Sequence, residues 1–334
     1  MCRNWDRPAS RFDPIVAEVG RRRVDTTCMH RFTSARRLSS VAVLILAIAG
    51  CAQNERPVDN EAGPAAIRVA SFDFSESEVL AEIYATALER RQFEVTRVHR
   101  LASREIILPA LEQGRIDLVP EYLGSALEFV TLGRSSPRTS TEEVHRQLSR
   151  AMEQQGMEVL DPAPAQNKNV VVVAKRLPEW HLLHSLSELA SVSKDMAFGG
   201  PPECPNRPLC LRGLEAVYGL QFREFVPLDA SGPLTAAALE SGEVDAALMF
   251  STDPALNDDD LNVLRDDKKL QPPENVVPVI RREVMEKYGA ALVDALNSVS
   301  KELRTSDLRD FNRLMRDGSR AQDVAVDWLD RHGL

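Results

Sequence analysis

The sequence predicts an α/β protein of two similar lobes, each with a parallel-type sheet flanked by helices, and a ligand cleft between them. Three observations carry this. Strand and helix periodicities alternate along residues 67–119, the pattern of parallel strands joined by helical crossovers. The stretch Ala110-Leu111-Glu112-Gln113-Gly114-Arg115-Ile116-Asp117 recurs as Ala238-Leu239-Glu240-Ser241-Gly242-Glu243-Val244-Asp245, an offset of 128, and a strand ending in an aromatic follows each copy, at Tyr122 and Phe250. The 334 residues, 43% apolar and 27% charged, are enough for two or three domains and a real core. With 50 acidic against 41 basic residues the formal charge is -9, the wrong sign for gripping phosphate backbones, so nucleic acid is not the expected partner.

The charge is unevenly spread. Residues 1–50 hold nine Arg and no Lys against four acidic residues, a surplus of +5, which leaves -14 on the remainder. Within them the run SVAVLILAIAG, from Ser40 to Gly50, follows Arg31, Arg36 and Arg37, and reads as a signal-peptide core too short to span a membrane. It ends Ile48-Ala49-Gly50-Cys51, which resembles a bacterial lipobox and makes Cys51 the lipidated residue. Met29 stands where such a signal would start, so residues 1–28 read as an upstream extension. Residues 52–64 are a polar tether. Export implies an oxidising compartment, and with Cys51 lipidated and Cys2 and Cys28 upstream, Cys204 and Cys210 are left in the folded body to form a disulfide. Two cysteines without a neighbouring histidine make no zinc site, and no metal or cofactor is expected.

In the body, residues 67–71 alternate as a strand, and Ser75 with Glu78 reads as a capping box opening a helix whose Val79, Leu80, Ile83, Tyr84, Ala87 and Leu88 share one face. A strand over 93–98, a helix over 103–113 closed by Gly114, and a strand over 116–119 follow. A helix spans about 141–155 with Val144, Leu148 and Met152 inward and Gly156 as its stop; residues 170–174 form a strand buried on both faces. Asp258, Asp259 and Asp260 read as a solvated turn. From Arg281 onward Val284, Tyr288, Leu292, Leu296 and Val299 form one apolar stripe and Leu308, Phe311, Leu314 and Met315 another, as helices returning to the first lobe. In open α/β sheets ligands sit beyond the carboxyl ends of strands, so Tyr122 and Phe250 should face a common cleft from opposite lobes, an arrangement suited to a cation.

Residues 66–334 resemble the solute-binding lipoproteins of glycine betaine, choline and osmoprotectant ABC importers. The resemblance rests on 71–76 (SFDFSE), 108–127 (LPALEQGRIDLVPEYLGSAL), 207–220 (RPLCLRGLEAVYGL), 241–256 (SGEVDAALMFSTDPAL) and 272–280 (PPENVVPVI). It implies a two-lobed type II periplasmic-binding-protein fold, each lobe a mixed, mostly parallel sheet flanked by helices. It divides the chain into a signal peptide (1–50), a lipidated tether (51–65), lobe 1 (66–165), lobe 2 (166–276) and C-terminal helices returning to lobe 1 (277–334). It further implies a small-molecule solute, ABC permease and ATPase partners, a lipid anchor in the membrane, and a location facing the periplasm or cell exterior. Quaternary ammonium groups are held by ring faces and betaine carboxylates by a guanidinium and a hydroxyl. The resemblance puts rings at Tyr122 and Phe250, the hydroxyl at Ser125 and the guanidinium at Arg207. Two further ring positions are Asn169 and Glu274 here, which points to a more polar zwitterion or amine as an alternative guest. Asp73 and Asp253 follow strand ends, where they reach the guest cation or cap the next helix. Phe72 lines the cleft mouth or packs beneath the first helix. No G-x-S-x-G, H-E-x-x-H or phosphate-cradling glycine loop occurs, so a binding protein is expected rather than an enzyme; an envelope sensor on the same scaffold is the remaining alternative.

Overall fold

The computed structural model describes residues 66–134, 140–175 and 182–334. The expected signal peptide (1–50), tether (51–65) and lipidation at Cys51 lie outside them. The described chain opens with β1 (Ile67–Phe72), α1 (Ser75–Arg90), β2 (Val95–Ala102), α2 (Arg104–Glu112), β3 (Leu118–Tyr122), α3 (Leu123–Val130), α4 (Thr141–Glu153) and β4 (Met157–Val159). It then crosses to a second lobe of β5 (Asn169–Ala174), α5 (Leu186–Leu189), β6 (Ala197–Gly200), α6 (Leu211–Tyr218), β7 (Glu224–Pro227), α7 (Pro233–Ser241), β8 (Ala246–Phe250) and β9 (Leu261–Leu264). It returns as β10 (Val276–Arg281), followed by α8 (Arg282–Tyr288), α9 (Ala290–Glu302), α10 (Thr305–Arg316) and α11 (Ala321–His332).

The two sheets share one plan. Their orders are β2-β1-β3-β10-β4 and β7-β6-β8-β5-β9. In each, a single strand runs against its neighbours, β10 between β3 and β4 and β5 between β8 and β9. Those two are the strands entered directly from a crossover, which reverses the chain as it changes lobe. The repeated segment explains the likeness at residue level. Gly114 and Gly242 both take positive φ, +63° and +88°, where a Cβ is strained, and each turns a helix into the strand that carries the site. Asp117 then accepts the Arg68 N–H at 2.9 Å and Asp245 accepts the Ala197 N–H at 2.8 Å, so each aspartate pins the start of the adjacent parallel strand.

Helix α1 carries the predicted face, with Val79, Leu80, Ile83, Tyr84 and Leu88 fully buried, but Ser77, Ala81 and Ala85 on its other side are buried too. The reason is that α9, α10 and α11 cover it: Leu296, Phe311 and Trp328 join Leu80 and Tyr84 in one core, and a helix packed on both sides loses its polar face. The expected capping box does not form. Phe74 is the N-cap residue without a side-chain cap bond, and the Phe72 N–H donates instead to Ser77 Oγ at 2.9 Å. The stripe from Val284 to Val299 is split between α8 and α9 by Gly289 at φ +66°.

The crossovers lie side by side. The Asn167 N–H donates to the Glu274 carbonyl at 3.1 Å, the Val276 N–H to Ala165 at 3.0 Å and the Ala163 N–H to Val276 at 2.8 Å, a short antiparallel ladder between 163–167 and 274–276. Gly124 belongs to this joint, since a Cβ there would fall 2.1 Å from Pro272 Cγ; only a bare backbone lets the returning crossover pass so close to α3.

Candidate functional site

A cavity of about 380 Å³ opens between the lobes, lined from the first by Phe72, Asp73, Phe74, Arg104, Tyr122 and Ser125 and from the second by Asn169, Glu203, Arg207, Asp229 and Phe250. The strand ends deliver its rings: Tyr122 closes β3, while Phe250 closes β8 opposite Asn169 on β5. Between them stands Phe74, whose centroid is 5.1 Å from Phe250, 6.1 Å from Tyr122 and 6.0 Å from Phe72. Phe72 is 4% exposed and lines the cavity, in the core of α2 and α3 and not that of α1, with the Arg104 Cζ 5.1 Å from its centroid. The sequence signal for Phe74 was its position one residue before a helix that follows a strand.

Of the expected site residues, Tyr122, Ser125, Asn169, Arg207, Phe250 and Asp73 line this cavity; Glu274 and Asp253 do not. Asp253 accepts the Ala255 N–H at 2.8 Å and the Ser231 hydroxyl at 2.7 Å, so it caps the turn over 254–257. Asp73 is an exposed carboxylate paired with Arg100 at 2.9 Å. Glu274 is 1% exposed and sits behind Ser125, whose N–H and hydroxyl both donate to it, at 3.0 and 2.7 Å. It braces Ser125 instead of meeting a guest, because the two prolines before it press the crossover against α3.

Three polar clusters support the wall, and in the last of them burial pushes the Glu76 carboxyl up against the pull of the hydrogen bonds it accepts. Arg104 is buried and donates from Nε and Nη2 to the two oxygens of the fully buried Glu121, both at 2.8 Å. Arg207, next to the Cys204–Cys210 disulfide whose Cα atoms are 5.2 Å apart, donates to Glu105 on the opposite lobe, Nη2 at 2.8 Å and Nε at 3.3 Å, and lies 2.9 Å from Glu203. Partial burial pushes the Glu105 carboxyl up, but the bonds from Arg207 and Ser103 outweigh that and hold it at about 2. Glu76 is buried without a cation and accepts four donors: Tyr122 Oη at 2.7 Å, Asn167 Nδ2 at 2.8 Å, Thr252 Oγ1 at 2.6 Å and Asn312 Nδ2 at 2.7 Å. Sequence reasoning found neither Arg104–Glu121 nor Glu76.

Glu274 gives the site a pH dependence. Burial raises its carboxyl to about 7, against the pull of the two Ser125 bonds and of Arg104. The folded form therefore holds a proton between about 4.5 and 7 that the unfolded chain releases, so the stability that Glu274 contributes falls as pH rises through that window and does not change outside it. The loss is on the order of 3 kcal/mol. Glu274→Gln keeps the neutral shape, accepting from the Ser125 N–H and donating to its hydroxyl oxygen. It is expected to flatten this part of the profile and to be the more stable protein near pH 8. Urea unfolding across the range checks it; parallel curves for the two proteins would defeat the assignment.

A family model described as the substrate binding domain of an ABC-type glycine betaine transport system matches residues 65–331. The chain is 28% identical over 280 residues to a glycine-betaine-binding protein of Pseudomonas aeruginosa, covering 80% of this chain and 88% of that protein. It is 26% identical over 268 residues to an ergothioneine transport permease/ergothioneine binding protein of Helicobacter pylori, covering 80% of this chain and 47%, about half, of that longer protein. Among solved structures, one titled as a glycine betaine/carnitine/choline ABC transporter aligns with TM-score 0.62 at 23% identity, covering 80% of this chain and 98% of that one. A choline-binding protein in complex with choline aligns with TM-score 0.61 at 15% identity, covering 80% and 89%. At those identities the structures speak for the two-lobed fold.

Proposed function

Since the chain belongs to the family of substrate-binding domains of ABC-type glycine betaine transport systems, we propose that it is the extracytoplasmic receptor of such an importer, capturing a small solute with a cationic nitrogen between its lobes. The observation that carries the reading is the ring set of the cavity, Tyr122 from the first lobe and Phe250 from the second with Phe74 between them. Ring faces attract a cation that has no hydrogen to donate, and the attraction grows as closing lobes remove water. A permease and an ATPase complete the importer. Attachment through a lipid on Cys51 keeps the receptor beside them, a reading supported by the basic flank, apolar run and small residues that precede that cysteine.

A thermal-shift screen of quaternary and protonated amines tests the reading. A solute present at about 100 times its dissociation constant stabilises by about 2.7 kcal/mol, which moves the melting point by about 5 °C or more. Phe250→Ala is expected to weaken that solute about 10-fold, within the range of one desolvated ring contact, while changing the unliganded melting point little. A panel in which no solute shifts the protein would refute the receptor assignment.

A further inference from the structure

The repeat that builds the two lobes also reaches their surface. Helices α2 and α7 fill the same place in the two sheets: each carries the chain from an edge strand, β2 or β7, past its neighbour, β1 or β6, to the strand that bears the site, β3 or β8. At the offset of 128 their inward residues correspond, Ile107, Ala110 and Leu111 to Thr235, Ala238 and Leu239, and all six are buried. Packing on the sheets explains that match, but the outward side corresponds as well. Ile106 and Leu234 hold matched positions and are 52% and 63% exposed. Three and six residues further on stand Pro109 and Glu112 in one helix and Ala237 and Glu240 in the other, a spacing that sets each trio on one side of its helix. Neither Glu112 nor Glu240 has an ion pair among the described residues. One exposed aliphatic side chain is ordinary. The same one on both lobes, followed by the same acid, is nothing the fold requires.

On the receptor reading above, we propose that these two stripes are a paired docking surface for the permease, which meets them with two copies of a single chain. Each stripe asks for the same counterpart, an apolar socket for Ile106 or Leu234 and a lysine or arginine for Glu112 or Glu240. A two-fold partner offers one socket twice, whereas two unlike chains would select different residues on the two lobes. Both stripes start near the cavity, since residues 102–104, leading into α2, and 228–230, leading toward α7, line it from opposite lobes. A partner that holds both therefore spans the lobes, and closure of the cleft sets whether its two sockets are filled together.

Crosslinking in the cells that make the protein tests this. The full chain is produced there with a benzophenone amino acid in place of Ile106, of Leu234 or, as a control, of Val263, which is 40% exposed on β9. All three side chains face solvent, so each variant is expected to melt with the unaltered protein. After irradiation, positions 106 and 234 are expected to attach to the same segment of one polytopic membrane protein, and position 263 to leave it untouched. Glu112→Lys should cut the adduct from 106, and Glu240→Lys the adduct from 234, each by about 10-fold. Adducts to two proteins, to two segments of one protein, to a second copy of this chain, or equally from position 263 overturn the proposal, as does the lack of any adduct. All of these leave the receptor reading in place as long as a solute shifts the melting point in the screen above; a protein that no solute shifts removes both.

Discussion

Arg104→Met is expected to lower the stability of the protein by about 3–5 kcal/mol at pH 7, the scale for stranding one partner of a buried ion pair. Glu121 is fully buried, and besides the two Arg104 nitrogens its carboxylate takes the Tyr122 N–H at 2.9 Å. Without the guanidinium, a full charge would remain in a site with little water. Adding Glu121→Gln should recover most of it, because the carboxamide oxygen still accepts from Tyr122 and no charge is left unpaired. Urea unfolding of the two variants at pH 7 is the check. A double variant no more stable than Arg104→Met would show that the pair acts through packing, of Arg104 on Phe72 above all, and not through charge.

Glu76→Gln is expected to cost about 2–4 kcal/mol, from one or two buried donors left facing a donor at about 1–3 kcal/mol each. Each Glu76 oxygen receives two donors, Tyr122 and Asn167 on one and Thr252 and Asn312 on the other. A carboxamide keeps one oxygen and presents an NH2 to the other pair. A tyrosine or threonine hydroxyl can turn to accept, but an asparagine amide accepts only by flipping, which would take the Asn167 oxygen from Ser251 or the Asn312 NH2 from the Thr252 carbonyl. The carboxylate also joins the lobes, for Asn167 lies on the outgoing crossover and Thr252 follows β8 in the second lobe, while Tyr122 and Asn312 belong to the first lobe's β3 and α10. Glu76→Gln should accordingly weaken solute binding beyond its effect on melting, by loosening the Tyr122 ring. Denaturation and calorimetry on one preparation separate the two; unchanged affinity alongside lost stability would confine Glu76 to a structural role.

What the sequence carried was local or repeated. The alternation of strands and helices is written in short local runs, and the echo at offset 128 sets Tyr122 and Phe250 at matching strand ends. What it hid depends on distant pairing. Glu76 meets Asn312 across 236 residues, and in sequence it looks like an ordinary acid in a helix's first turn. Arg207 reads as a free guanidinium until Glu105 arrives from 102 residues away. Glu274 stands at a position where the resemblance sets a ring, and only the fold shows that it turns inward to Ser125. Phe74 falls between the strand pattern, which ends at 71, and the helix pattern, which opens at Ser75, so neither periodicity marks it.

The place of β10 has a consequence for the order in which the molecule can be completed. That strand fills the gap between β3 and β4, yet it leaves the ribosome after every strand of the second sheet. A growing chain holding β1 to β4 therefore has two unpaired edges where β10 belongs, while the strands of the second sheet arrive in an unbroken run from 169 to 264. The lobe that is begun first is finished last. Even then its core is open, because Leu80 and Tyr84 wait for Phe311 and Trp328, which come after every strand of both sheets.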